Sequence, residues 1–487
     1  MNDMTLAREG LEHLKALLAF DTTNPPGNEM PAAEYLQKAL QAEGFEPVLI
    51  ESADKRGNLV ARLKGDGSEK PLLLLSHLDV VPAQAENWDL PPFAAEEKDG
   101  YLYGRGALDM KQMTAMSLMA LLSAKRKGLK LKRDIIFAAV ADEEAGGKLG
   151  AEYLVENNPE LIEAEFALCE MGGFRLDVRG HTFFPVQVAE RGCAWCKVQF
   201  LGEPGHGSIP NPDSAVSKMT RALTRLEKKG LPLHPTDIVR EFISSVAAKQ
   251  KTHVRTAMKA LLSPLTSRMA LSRLEKEQAR VFYAQLHSTA VPTILRAGDK
   301  QNVIPGQADV VLDGRVLPGQ TWESFKKELQ HVLGREAQIE LIKWAEPLVY
   351  SADTPLFDVI RRVVIERVPE AEVVPYLLTG FTDAKHLDKL GIVTYGFSPM
   401  NNDPDEKFSR LVHGHNERIG IDAFSWGVET LTEVVERFCS VPSSAKAVDS
   451  LMEEMLEPER AGNASGSKEK DPTLPDGLAA EPPDAED

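Results

Sequence analysis

The sequence predicts an α/β protein with helices packed on a largely parallel sheet, and three observations predict it. Uninterrupted apolar runs recur at 72–75, 135–141 and Phe166–Cys169, as expected of strands buried on both faces. Amphipathic helical stretches separate them, and strand–helix alternation is the pattern of a parallel sheet. Each run ends in acidic or imidazole side chains followed by a proline or glycine turn. In such sheets ligands bind beyond the carboxyl ends of the strands.

Composition narrows the class. A chain of 487 residues exceeds what one core usually supports, so two domains are expected. Hydrophobic content of 43% with 26% charged residues is that of an ordinary soluble protein. The net charge of −17 argues against nucleic acid or an anionic membrane as partner, although part of it lies near the C-terminus. The N-terminus leads directly into an amphipathic helix, and no run of about 18 apolar residues occurs. Four cysteines fit a reducing compartment, so a cytoplasmic location is expected. Cys193 and Cys196 form a CxxC, but the segment around them reads as a strand and lacks a second pair. They are read as packing residues.

Taken in order, residues 6–20 predict a helix that ends in Asp21-Thr-Thr-Asn-Pro-Pro-Gly-Asn28, a loop of turn formers. A helix over 31–43 and strands over 46–50 and 58–63 follow. The strand at 71–82 then presents His77 and Asp79 two residues apart on one face. A carboxylate so placed takes one ring N–H and turns the other nitrogen toward an ion; the alternative is a core histidine neutralised locally. Gly104-Arg-Gly106 lacks the third glycine of a dinucleotide fingerprint, so its glycines are read as letting the backbone pass close to a site. Asp109 precedes a helix over 110–125, where an aspartate is either an N-cap or a bridge between two cations.

The strand over 134–141 closes in Asp142-Glu143-Glu144. Three acids at a buried strand end repel one another unless a positive group sits among them. Phe166–Cys169 ends in Glu170. From Val186 the pattern changes to alternating strands (186–201 and 307–316) with helices between, including 214–229 and a charged stretch over 236–280. An inserted α+β domain is expected there. His206, Asn302 and Arg315 lie within it and are, taken singly, an ordinary loop histidine, turn asparagine and strand arginine. The sheet pattern returns near Ala345, with Thr379-Gly-Phe-Thr-Asp383, a strand over 392–397, His413 and His415, and a closing helix over 421–437. Residues 457–487 have a disordered, acidic composition, and Met452, Met455 and Leu456 could form a short helical extension before them.

His77, Asp109, Glu144, Glu170 and His413 form a nitrogen and carboxylate donor set without thiolate. Such a set suits zinc, with cobalt and manganese as alternatives. Five ligands with one bridge make two sites, about 3.5–4 Å apart in co-catalytic centres. Glu143 is left over as a general base.

The ordered motifs Ser-His-Leu-Asp-Val-Val-Pro, Tyr-Gly-Arg-Gly-Ala-Leu-Asp-Met-Lys, Asp-Glu-Glu, Gly-His-Gly-Ser, Asn-Val-Ile-Pro and His-Gly-His-Asn-Glu resemble one family. It is the dinuclear-zinc metallopeptidase family of aminoacylases, glutamate carboxypeptidases, succinyl-diaminopimelate desuccinylases and acetylornithine deacetylases. The resemblance implies a zinc-peptidase-like α/β/α sandwich as catalytic domain (1–185 and 346–445), with an inserted dimerisation or lid domain (186–345). It implies that His77 and Glu170 bind one ion, that Glu144 and His413 bind the other, and that Asp109 bridges them. Asp79 then stands behind the ligands, and Glu143 is the base. The family's histidine lies four residues before a glutamate, which selects His413, paired with Glu417, over His415. His206 matches a residue that reaches the partner subunit's site in a homodimer. Asn302, Arg315 and Gly380 match substrate contacts. Gln112 departs from the family, where glycine is common, and no further arginine is found near Lys343-Trp344.

The implied activity is hydrolysis of an amide next to a free carboxylate, in a dipeptide or an N-acyl amino acid. A catalytically silent binding protein on the same fold is the competing reading, and it predicts a missing base or bridge. Glu143 and Asp109 are both present.

Overall fold

The computed structural model describes residues 3–403 and 408–441, and Met1–Ser440 form one compact unit. The expected disordered tail at 457–487 and the helical extension at Met452–Leu456 lie outside the described residues. The larger sheet has ten strands. Its main path runs Val48–Ala53, Arg56–Leu63, Ile135–Val140, Leu72–His77, Phe166–Cys169, Val393–Gly396, His181–Glu190 and Leu348–Val349. Glu372–Leu378 and Leu176–Val178 also pair with His181–Glu190.

The centre is parallel. Ile135–Val140, Leu72–His77, Phe166–Cys169 and Val393–Gly396 run in one direction, as their all-apolar sequences require for strands covered on both faces. Outside them the pairing is mixed: Val48–Ala53 and Arg56–Leu63, joined by a two-residue turn with Lys55 at φ 61°, pair antiparallel, as does Arg56–Leu63 with Ile135–Val140, whereas Glu372–Leu378 pairs parallel with His181–Glu190. Leu72 to Leu75 are all buried. On one face lie the helices Asp3–Leu18, Met30–Ala42, Lys111–Arg126, Pro355–Arg367 and Ile421–Cys439; on the other, Ala151–Asn157 and Ala384–Leu387. This is the expected α/β/α layering.

A second, antiparallel sheet has the order Thr289–Ala297, Gln307–Val316, Gly192–Leu201 and Gln338–Ala345. Its core is shared with Ala215–Lys229 and Trp322–Leu333. Ser214 caps the first of these helices, its hydroxyl accepting from the Ser217 N–H at 3.2 Å. The outer strand Thr289–Ala297 is largely exposed, including Val291, Ile294 and Leu295.

Two details differ from the sequence expectation. The change of pattern placed at Val186 falls inside His181–Glu190, which belongs to the ten-stranded sheet; the chain changes sheets at Arg191. The helical stretch after Thr236 was assigned to the insertion. Its Asp237–Ala248 helix instead packs Val239, Phe242, Ile243 and Val246 with Phe183, Val374 and Leu377 of the larger sheet. An amphipathic stripe shows that a helix must be buried, not against which sheet.

Cys169, Cys193, Cys196 and Cys439 are free and buried. A register shift at Trp195/Cys196 accompanies the burial of both CxxC sulfurs. Among the described residues, no helix is long and apolar enough to cross a membrane.

Candidate metal centre

Parallel pairing gathers the site. Leu72–His77 lies between Ile135–Val140 and Phe166–Cys169, so three neighbouring strands finish together and deliver His77, Glu143 with Glu144, and Glu170 to one edge. Asp142 adopts a left-handed φ of 73°, reversing the chain into a short turn over Glu143–Ala145. Asp109 arrives from the loop before Lys111–Arg126, and His413 from the segment before Arg418–Gly420.

The Asp109 carboxylate divides the cluster. Its Oδ1 is 3.1 Å from His77 Nε2, which lies 3.6 Å from Glu170 Oε2. Its Oδ2 is 3.0 Å from His413 Nε2, which lies 3.4 Å from Glu144 Oε2. Ligand-type atoms of His77, Asp109 and Glu144 lie within 4.8 Å of one another, as do those of His77, Glu143 and Glu170. One oxygen of Glu144 is buried without a hydrogen-bond partner. No hydrogen bond among the described residues fixes the Glu143 carboxylate.

The electrostatics are those of crowded anions. Burial, reinforced by the charge of Asp109, pushes the Glu170 carboxyl up to about 8. Burial and then the charge of Glu170 raise Glu143 well above the usual carboxylate range. Burial opposes protonation of His77, but hydrogen bonds to Asp109, Asp79 and Glu170 outweigh it and raise its pKa well above the ordinary value. Asp109 and Glu144 push His413 up to about 10. Four carboxylates facing two imidazoles, with one buried oxygen unpaired, make a donor set that a pair of divalent cations fits.

A second set of buried groups aims these side chains. His77 Nδ1 is 2.9 Å from the Asp79 backbone carbonyl and 3.5 Å from its carboxylate. The carbonyl, not the carboxylate as expected, is therefore the nearer partner. The carboxylate accepts instead from the backbone N–H groups of Glu143 and Glu144, each at 3.1 Å, and from Asn24 Nδ2 at 2.8 Å. Asn24 also donates to Asp142, whose Oδ1 is 3.0 Å from buried Arg56. Arg56 in turn pairs with Glu29 at 2.7 Å. Asp142 thus has its own cation and does not join the crowd.

On the opposite side Glu417, fully buried, pairs with Arg105 at 2.5 Å and accepts from the N–H groups of Leu108 (2.7 Å) and Asp109 (3.2 Å). Arg105 also donates to the Gly414 carbonyl at 2.9 Å. The glutamate four residues after His413 therefore ties the His413 segment to the Asp109 loop. Gly106 has φ 91°, and a Cβ there would lie 2.8 Å from Val80 Cγ1, so the glycine permits the close passage expected of it. Gln112 Nε2 donates to Leu108 O at 2.7 Å, adding to the same loop.

The remaining expected residues form two groups. Arg315 is held by Asp313 at 2.8 Å, and its guanidinium carbon is 4.8 Å from the centre of the Phe381 ring, beside Gly380. His206 and Asn302 meet elsewhere, on a hairpin pairing Gly205–His206 with Val303–Ile304; Gly207 N donates to Asn302 O at 2.9 Å. His206 is exposed and bonds Ser208 Oγ at 2.7 Å. Among the described residues, no hydrogen bond or ion pair joins this hairpin to the cluster around Asp109.

Asn24, Arg56 and Arg105 escaped the sequence reading. Their signals were weak: an asparagine in a proline-rich loop and an arginine between two glycines. Replacing Glu417 by Gln leaves Arg105 buried and unpaired. The variant is expected to lose about 3–5 kcal/mol of stability and to bind metal roughly 10–100-fold more weakly. Calorimetry and metal titration measure both, and unchanged metal affinity would exclude the positioning role.

The chain is 31% identical to aminoacylase-1 of Sus scrofa over 459 residues, spanning 90% of this chain and 98% of the relative. It is 29% identical to the N-fatty-acyl-amino acid synthase/hydrolase PM20D1 of Xenopus tropicalis over 420 residues, 83% of this chain and 79% of that one. Its fold superimposes on the M20 family metallo-carboxypeptidase Sso-CP2 from Sulfolobus solfataricus with a TM-score of 0.64 at 19% identity, covering 88% of this chain and 99% of that chain. Residues 73–437 match Peptidase family M20/M25/M40, and with a curated relative aligned over nine-tenths of its length the chain belongs to that family.

Proposed function

We propose that this protein is a dinuclear metal hydrolase that cleaves an amide bond next to a free carboxylate. Its substrates are N-acyl amino acids, with short peptides as the related alternative. The observation that carries the reading is the division of the cluster by Asp109, whose two oxygens face different histidines. In this assignment His77 and Glu170 hold one ion, Glu144 and His413 the other, and Asp109 lies between. The donors favour zinc, with cobalt or manganese as substitutes. A pair of such ions supplies Lewis acidity toward the scissile carbonyl and a nucleophile at neutral pH. Glu143, beside the ligands yet held by no hydrogen bond of its own, takes the proton of the attacking water and returns it to the leaving amine. The two curated relatives are named for acyl-amino-acid chemistry, which supports that substrate class. Four free, buried cysteines suit the cytoplasm.

His206 requires an assembly. It sits exposed on a hairpin with no hydrogen bond or ion pair to its own cluster among the described residues, and the strand that precedes Val303–Ile304 in the chain, Thr289–Ala297, exposes Val291, Ile294 and Leu295. Edge strands of this kind, paired on one side, invite pairing on the other. We assign the four-stranded sheet to a homodimer in which His206 and Asn302 serve the partner's site, while Arg315 and Gly380 serve their own.

Metal removal by exhaustive chelation should abolish hydrolysis of N-acetyl-L-methionine, and zinc, cobalt or manganese should restore it. Full activity of metal-free protein would end the reading. Glu143→Gln should keep two metal ions per chain and lose roughly 10²–10⁴ in kcat. Loss of metal together with activity would make Glu143 a ligand instead. Mixing His206→Ala with Glu143→Ala subunits creates hybrid dimers with one intact site, so random exchange should recover roughly a quarter of wild-type activity if sites act independently. No recovery after proven exchange would place His206 in its own subunit's site or in none.

A further inference from the structure

The short helix Ala384–Leu387, which follows Glu372–Leu378, carries a cation without a hydrogen-bond partner among the described residues. Lys385 Nζ is shielded from solvent and has no hydrogen-bond partner. It lies 4.2 Å from the centre of the Phe381 ring, the same ring against which Arg315 rests at 4.8 Å. The short helix that bears it, Ala384–Leu387, rests on the turn that follows Glu143–Ala145, with His386 Nε2 2.9 Å from the Gly146 carbonyl.

Among the anions near it, Glu190 is committed, whereas Asp383 Oδ1, like Lys385 Nζ, has no hydrogen-bond partner among the described residues. Glu190 accepts from the Thr382 N–H at 3.1 Å, the Thr382 hydroxyl at 2.5 Å and Gln187 Nε2 at 2.8 Å. Asp383 starts the short helix Ala384–Leu387 and lies against Gly147, where an added Cβ would come within 2.5 Å of its Oδ1. Arg315 is already forked onto Asp313 at 2.8 and 3.2 Å, so much of its charge is neutralised before any ligand arrives. A dehydrated ammonium without an acceptor is costly to a fold. Such a group, on a helix resting against the turn that follows a general base, is what a substrate anion satisfies.

We infer that Lys385 is a substrate-binding residue that receives the free carboxylate of the substrate, alongside Arg315 and spaced from it by the Phe381 ring. The inference rests on the proposed hydrolase activity and sharpens its substrate class. Selection for a carboxylate over its uncharged carboxamide is assigned to an uncommitted ammonium, with the forked arginine as its neighbour.

The test compares N-acetyl-L-methionine with N-acetyl-L-methioninamide on the metal-loaded enzyme, as wild type, Lys385→Met and Lys385→Arg. Lys385→Met should raise KM for the carboxylate about 10–100-fold, the range of one charge-assisted hydrogen bond. Its kcat should change less than about threefold, and kcat/KM for the carboxamide should stay constant. Lys385→Arg should recover most of the loss. Equal loss on both compounds, or an unchanged KM for the carboxylate, overturns the inference. Titration calorimetry of the same two compounds on the Glu143→Ala protein, with and without Lys385→Met, reads binding apart from turnover. Preferential binding of the carboxylate that needs Lys385 upholds the inference even if wild type hydrolyses neither compound, an outcome that overturns the function reading alone. Binding of both compounds without preference overturns the inference. If Lys385→Met does not fold, the Lys385→Gln variant gives the same comparison.

Discussion

Two buried carboxylates that are not candidate ligands hold the centre in place: Asp79 and Glu417. Each directs its acceptor capacity to backbone N–H groups, Asp79 to those of Glu143 and Glu144, and Glu417 to those of Leu108 and Asp109. A main-chain N–H cannot swing as a side chain does, so these bonds fix where the next residue's carboxylate begins. Each anchor has its own compensation, Asn24 on one side and Arg105 on the other. The crowd of anions can therefore be assembled before any ion arrives.

That arrangement separates what the sequence could disclose from what it could not. His77, Asp109, Glu143, Glu144 and Glu170 were legible because each ends a run of buried apolar residues or opens a helix, where a charged side chain is conspicuous. His413 was chosen over His415 through the family resemblance, whose motif sets the histidine four residues before a glutamate, and the structure shows Glu417 tying that segment to the Asp109 loop. Asn24, Arg56 and Arg105 make their bonds across 55, 86 and 312 positions. No local pattern reports a contact at such separation. Asp142 looked like one of three crowded acids and is instead the partner of Arg56, a distinction that needs both chain segments in view.

The fold shows the same division. Strands of the parallel centre declare themselves through continuous apolarity, whereas the mixed rim depends on which neighbour a strand finds. Residues from Val186 onward read as the start of the second sheet, yet they belong to the strand His181–Glu190 of the larger one. They are buried on both faces because Glu372–Leu378 pairs alongside and Asp237–Ala248 packs over them. Periodicity states how much of an element is covered, and topology alone states by what.

The candidate ligands and the Gly380–Lys385 loop hang from different parts of the sheet. The former follow the parallel centre, and the latter follows Glu372–Leu378, which pairs only with His181–Glu190. Substitutions in the loop leave the anchors around Asp109 and Glu143 untouched. On the proposed reading of that segment, the side chains that select the substrate can be exchanged while the cluster around Asp109 keeps its anchors.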